Sequence, residues 1–107
     1  MTERRRHERV KASIPIDWGL TPECLKHDRI TSFSVAGCFI QTRESVAAST
    51  RIYMRFFLSN KGERIISGEV RYNLEQVGLG VQFLDLTARD REQFETLVSH
   101  YRARSGK

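Results

Sequence analysis

The sequence predicts an all-β domain, a six-stranded antiparallel β-barrel with one C-terminal amphipathic helix. Three observations lead there. Apolar and polar residues alternate in short segments between Val10 and Phe83. Turn-forming Gly, Pro and Asn separate these segments at near-regular intervals. The apolar period then changes from two to about 3.6 a single time, near the C-terminus. Short strands with so little else to cover them bury their apolar faces best when the sheet closes on itself, with the helix on an opening or flank.

Val10, Ala12, Ile14, Ile16 and Trp18 are apolar at every second position, the signature of a half-buried strand. Pro15 removes one ladder donor and predicts an edge or a bulge there. Gly19 to Glu23, with Pro22, reads as a turn. Leu25 to Phe33 is a strand with much of its surface in water, because Lys26, His27, Asp28 and Arg29 are charged or titratable. A turn containing Gly37 leads to a short strand, Cys38 to Thr42, followed by a polar loop over residues 43–50. Arg51 to Leu58 sets Ile52, Met54, Phe56 and Leu58 on one face. Asn60-Lys61-Gly62 predicts a hairpin turn, since Asn and Gly tolerate positive φ. Arg64 to Leu74 follows, with Ile66, Gly68, Val70 and Tyr72 expected on one face. After a turn at Glu75 to Gly78, Leu79, Val81 and Phe83 alternate. Thr87 and Asp90 have the spacing of a helix N-cap and an imperfect capping box. Phe94, Leu97, Val98 and Tyr101 then recur as one helical stripe, and Arg102 and Arg104 suit the negative end of the helix dipole.

A chain of 107 residues, 39% hydrophobic and 29% charged, is expected to form one domain with a modest core. No apolar run approaches the roughly 18–20 residues needed to span a bilayer, and the N-terminus lacks an apolar leader. The expectation is a cytoplasmic protein with no membrane partner. Cys24 and Cys38 fit no metal spacing and read as reduced thiols. The net charge is +5, and much of it is local. Arg4, Arg5, Arg6, Arg9 and Lys11 face only Glu3 and Glu8 in that stretch, and a concentrated basic cluster is an anion site where a diffuse excess is not.

Enzyme motifs are missing. His7, His27 and His100 stand in unrelated contexts without paired-ligand spacing, and no nucleophile elbow or phosphate-binding loop occurs. Binding to a nucleic acid polymer is disfavoured because no aromatic is interleaved with the arginines. Arginine forks match phosphate oxygens bidentately and also match O6 and N7 of guanine. Arg5 and Arg9, four residues apart, can close on one such ligand from the same side.

These residues carry a resemblance. Arg5-x-x-x-Arg9 ahead of a strand, Ser32-x-Ser34-x-x-Gly37 between strands two and three, and Gly78-Leu-Gly-Val-Gln-Phe83 before a C-terminal helix resemble the PilZ domain family. It covers about Arg4 to Tyr101. The family's fold is a six-stranded antiparallel barrel with a helix, and many members are receptors for the bacterial second messenger cyclic di-GMP. The resemblance implies a basic ligand-gripping segment over residues 1–9 and a barrel with its helix over 10–104. It implies that Arg5 and Arg9 grip phosphates and guanines, that the Ser34 hydroxyl bonds the ligand, and that Gly37 allows close backbone approach. Arg4 resembles the residue of members that take a stacked ligand pair. Ser32 stands where the family usually has Asp or Asn. A hydroxyl there forgoes a charge-assisted bond of roughly 1.5–3 kcal/mol, and Asp28, expected on the same strand face, lies about 13 Å away along the strand. The implied function is a non-enzymatic receptor that passes its signal to an effector protein, without cofactor or metal. The alternative is a PilZ-like adaptor that does not bind cyclic di-GMP and works through protein contacts alone.

Overall fold

The computed structural model describes residues 8–58 and 62–105. Its elements are β1 (Val10–Gly19), β2 (Lys26–Phe33), β3 (Gly37–Gln41), β4 (Arg51–Leu58), β5 (Gly62–Leu74), β6 (Gly78–Phe83) and α1 (Ala88–Ser105). The strands form a closed barrel in the order β1-β2-β3-β6-β5-β4, antiparallel throughout. The expected hairpin residues Asn60 and Lys61 lie outside the described residues; Gly62, which opens β5, has φ 78°.

Alternation builds the interior as the sequence requires. Ile16, Trp18, Ile30, Ile40, Ile52 and Met54 are all buried. Among the described residues, Pro15 has β2 on one side and no strand on the other, because β4 pairs with β1 only through Asp17 to Gly19. Its missing N–H is therefore cheap, and the bulge lies just upstream, between Lys11 and Ile14. Asp28 is turned inwards in part, where its carboxylate accepts the Trp18 indole N–H at 2.9 Å. Within the barrel, that bond satisfies a buried donor that would otherwise be costly.

Alternation fails at two further bulges. The β2–β3 register shifts between Ile30 and Ser32, so Ile30 and Phe33 are both buried although three residues apart. Asp28 and Ser32 consequently do not share a face. The β5–β6 register shifts between Val70 and Tyr72. Val70 is buried, whereas Tyr72, expected inside with it, is 48% exposed. Each bulge adds one residue to a strand and reverses the facing of everything after it.

Helix α1 closes the barrel end onto which β2 and β6 run out. Phe94 contacts the rings of Phe33, Phe56 and Phe83 at centroid distances of 5.2, 5.0 and 5.0 Å. The helix begins with a complete reciprocal cap: the Asp90 N–H donates to Thr87 Oγ1 at 3.0 Å and the Thr87 N–H to Asp90 Oδ2 at 3.1 Å. The same buried carboxylate accepts a two-pronged bond from Arg64 of β5, at 2.6 and 2.7 Å. Sequence spacing reveals the cap but not the arginine, which is 26 residues away.

Arg64 first, then the Thr87 donors, hold the Asp90 carboxyl below its ordinary 3.8, with burial opposing them. Because the folded value lies below the unfolded one, the stabilisation is complete above about pH 4 and is lost as pH falls through the folded value. Asp90→Asn keeps a capping side chain and removes the charge. We expect it to cost on the order of 1 kcal/mol at pH 7, because Arg64 is 43% exposed and water screens its half of the pair. Urea melts should show the gap between the two proteins shrinking below pH 4; a gap independent of pH would remove the charge from the explanation.

Candidate functional site

Arg9 immediately precedes β1, and the β1–β2 ladder fixes where it can reach. Val10 pairs with Phe33 and Lys11 with Ser32, so the residue before Val10 lies beside the end of β2. There the exposed Arg9 donates from Nη1 to Ser32 Oγ at 2.9 Å. Two residues that are 23 apart in sequence, both singled out there, are thus in direct contact. The bulge at Thr31 makes this possible by turning Ser32 outwards after Ile30 has pointed in.

Ser34 has a different situation. It is buried, and its Oγ accepts the N–H groups of Ala36 at 3.1 Å and Gly37 at 3.2 Å while its hydroxyl lies 3.4 Å from the Gly37 carbonyl. The backbone closes the same turn, with the Ser34 N–H on the Gly37 carbonyl at 2.9 Å. A hydroxyl offers one donor and two lone pairs, and here the turn engages all three. A ligand that took the hydroxyl proton would compete with the long bond to the Gly37 carbonyl, the weakest of the set.

Gly37 is required by the barrel itself. It pairs with Gln82 in the β3–β6 ladder, and any Cβ there would run into the Val81 carbonyl oxygen. The close approach that glycine permits at this position is that of the neighbouring strand.

Ser34, Gly37 and Arg9 line a cleft of about 210 Å³ together with Arg71, Tyr72 and Gln82. Arg71 donates from Nη1 to Gln82 Oε1 at 2.9 Å and stands 3.9 Å from Glu69. Arg71 and Tyr72 were not legible as site residues, because only the bulge in β5 turns the tyrosine outwards. A larger groove of about 1140 Å³ runs between β2, β3 and the β5–β6 turn. It contains none of Arg9, Ser34 or Gly37, and its Lys26 is paired with Glu44 at 3.4 Å. Chemistry therefore favours the smaller cleft over the larger groove.

The residue on the other side of Arg9 is anchored as well. Glu8 accepts from Arg102, in the last turn of α1, at 2.7 Å from Nη2 and 3.0 Å from Nε to each oxygen. That hydrogen bond holds the Glu8 carboxyl below its ordinary value. Arg4 and Arg5 lie outside the described residues. Under the site, burial pushes the Cys38 thiol up to about 12, so it is a neutral, unreactive core residue. Among the described residues no group of three or more His, Cys, Asp or Glu gathers as a metal site, and no helix is long and apolar enough to cross a membrane.

Comparison with known proteins adds a family. The profile described as the PilZ domain matches residues 3–100. No curated protein matches in sequence. Among solved structures, the inhibitor of motility MotI/DgrA from Bacillus subtilis superposes with a TM-score of 0.80 at 15% identity, over 99% of this chain and 55% of that one. The PilZ domain of YcgR from Escherichia coli, solved with c-di-GMP, gives 0.72 at 14% identity, over 98% and 99%. The MrkH–c-di-GMP complex from K. pneumonia gives 0.70 at 16% identity, over 99% and 56%. The chain thus spans little more than half of MotI/DgrA and MrkH, and at these identities the likeness is one of fold.

Proposed function

The chain belongs to the PilZ domain family, and from that premise we propose that it is a non-enzymatic receptor for cyclic di-GMP that passes its signal to a protein partner. The observation that carries this reading is the Arg9–Ser32 contact at 2.9 Å beside the Ser34–Gly37 turn. It joins the two motif stretches whose chemistry suits a phosphorylated guanine ligand. Support also comes from the YcgR and MrkH structures, which hold c-di-GMP in a fold of this kind. Arg5 and Arg9 would take the phosphates and guanine edges, Ser32 and Ser34 would supply hydroxyls, and Arg4 would accompany a second, stacked ligand. The two phosphates would neutralise the basic segment over residues 1–9 and gather it against the barrel. The altered surface would then change the affinity of an effector protein.

A second reading is favoured by one specific observation. The Ser34 hydroxyl is already engaged by its own turn, and Ser32 lacks the carboxylate or amide of the family pattern. Both suit an adaptor that works through protein contacts without the ligand. Calorimetric titration with cyclic di-GMP separates the two. Micromolar or tighter binding is the expected result, with a stoichiometry near two if Arg4 has its assigned role. No heat, together with an unchanged melting temperature at high ligand, would hand the site to the adaptor reading.

A further inference from the structure

Beyond the Arg29–Gln41 pair the β2–β3 ladder stops, although β1 still pairs with Asp28, His27 and Lys26. The chain after β3 follows β6 instead, with the Thr42 N–H on the Val77 carbonyl at 3.1 Å. Among the described residues, Lys26, His27 and Asp28 therefore present an open backbone edge on their β3 side. That edge runs along the larger groove, whose 1140 Å³ exceeds the roughly 300–1,000 Å³ of sites built for small molecules. An open strand edge is a template for pairing with another chain.

Two apolar side chains on the same groove are held out in water. Leu25 is 72% exposed and Val77 51%. Each follows a non-glycine residue in the left-handed region, Cys24 at φ 50° and Gln76 at φ 68°. Tight turns fix both, since the Cys24 N–H donates to the Thr21 carbonyl at 3.1 Å and the Val77 N–H to the Leu74 carbonyl at 2.8 Å. Scattered exposed apolar residues are ordinary, but two on one groove beside an open edge make a surface. The charges say what covers it. Both carboxylates of the groove are engaged, Glu44 with Lys26 at 3.4 Å and Asp28 with the Trp18 indole. Arg29 donates only to the Ser13 hydroxyl at 2.9 Å, and Arg43 has no side-chain partner among the described residues. Two guanidinium groups of the groove thus lack a carboxylate.

We propose that this groove is the docking site for the protein partner, and that its occupant is an extended segment carrying aliphatic and acidic residues. The segment pairs its backbone with the open edge of β2, covers Leu25 and Val77 with its aliphatic side chains, and gives carboxylates to Arg29 and Arg43. The inference rests on the reading that the signal passes to a protein, and adds where that protein binds and what it presents. The groove holds none of Arg9, Ser34 or Gly37, so ligand and partner can be bound at once.

The test selects random octapeptides displayed on phage against the full chain, then titrates the commonest selected sequence, made synthetically, into the protein in solution. The selected sequences should combine aliphatic with acidic residues. Amide shifts in the NMR spectrum of the unsubstituted protein should concentrate at Leu25 to Arg29, Arg43 and Val77, and hydrogen exchange should slow at one or more of Lys26, His27 and Asp28. Val77→Asp should weaken the peptide about tenfold or more, and Arg43→Glu about fivefold or more with a shallower salt dependence. Both variants should bind cyclic di-GMP within about twofold of the parent. Failure to select such sequences, or shifts confined to the smaller cleft or to α1, overturns the docking site and spares the receptor reading. Sedimentation of the protein alone examines the other occupant: a dimer that Val77→Asp dissolves assigns the groove to a second copy and overturns the proposal. Peptide binding at the groove by a protein that gives no heat with cyclic di-GMP upholds the docking site and overturns the receptor reading instead.

Discussion

Replacing Arg9 with alanine should weaken cyclic di-GMP binding by at least tenfold and leave the barrel's melting temperature nearly unchanged. Arg9 is exposed, and its hydrogen bond among the described residues is to the Ser32 hydroxyl, so the fold loses little when it is removed. The ligand would lose a charge-assisted contact worth roughly 1.5–3 kcal/mol, or about ten- to a hundredfold in affinity. Arg9→Lys retains the charge and removes the fork. It should therefore bind closer to Arg9→Ala than to the parent if geometry matters more than charge. Ser32→Asp, which supplies the carboxylate that this chain lacks, should move affinity the other way. A variant lacking the Arg9 guanidinium that titrates within twofold of the parent would exclude the Arg9–Ser32 contact as part of the site.

Phe94→Ala should damage the fold severely. The ring is 1% exposed and touches Phe33, Phe56 and Phe83 at 5.0–5.2 Å. Truncating a buried phenylalanine costs about 3–5 kcal/mol, the transfer loss plus the cavity. At about 4–8 °C per kcal/mol for a domain of this size, melting should fall by well over 10 °C. Phe94→Leu fills most of the space and should cost distinctly less. The effect also reaches the site, because Phe33 lies between Ser32 and Ser34 and loses one of its three ring contacts. Chemical denaturation of both variants measures this; an alanine variant within 1 kcal/mol of the parent would mean that the ring cluster does not hold α1 on the barrel.

Strand positions and the helix were legible because each depends on a period that survives in a one-dimensional string. Val10 to Trp18 alternates, Phe94 to Tyr101 repeats at helical spacing, and the structure turns both sets inwards. Thr87 and Asp90 were legible as a cap because a cap is local. The bulges in β2 and β5 were not legible. Inserting Thr31 or Arg71 into a ladder changes no composition and leaves the apolar residues plausible in either facing, so Tyr72 was expected inside and Asp28 on the face of Ser32. The partners of Asp28 and Asp90 were hidden for another reason: Trp18 reaches Asp28 across the β1–β2 ladder and Arg64 reaches Asp90 where α1 docks on β5, and no spacing encodes either contact. Pairing between distant strands also explains Gly37, whose glycine is demanded by the Val81 carbonyl of β6, a strand more than forty residues later in the chain.

The Glu8–Arg102 and Arg9–Ser32 contacts are made by consecutive residues, so one peptide unit ahead of β1 is tied at once to the last turn of α1 and to the end of β2. The planar, stiff peptide between them couples the two contacts mechanically. A shift of the helix end is thereby carried to the end of β2 without passing through the barrel core.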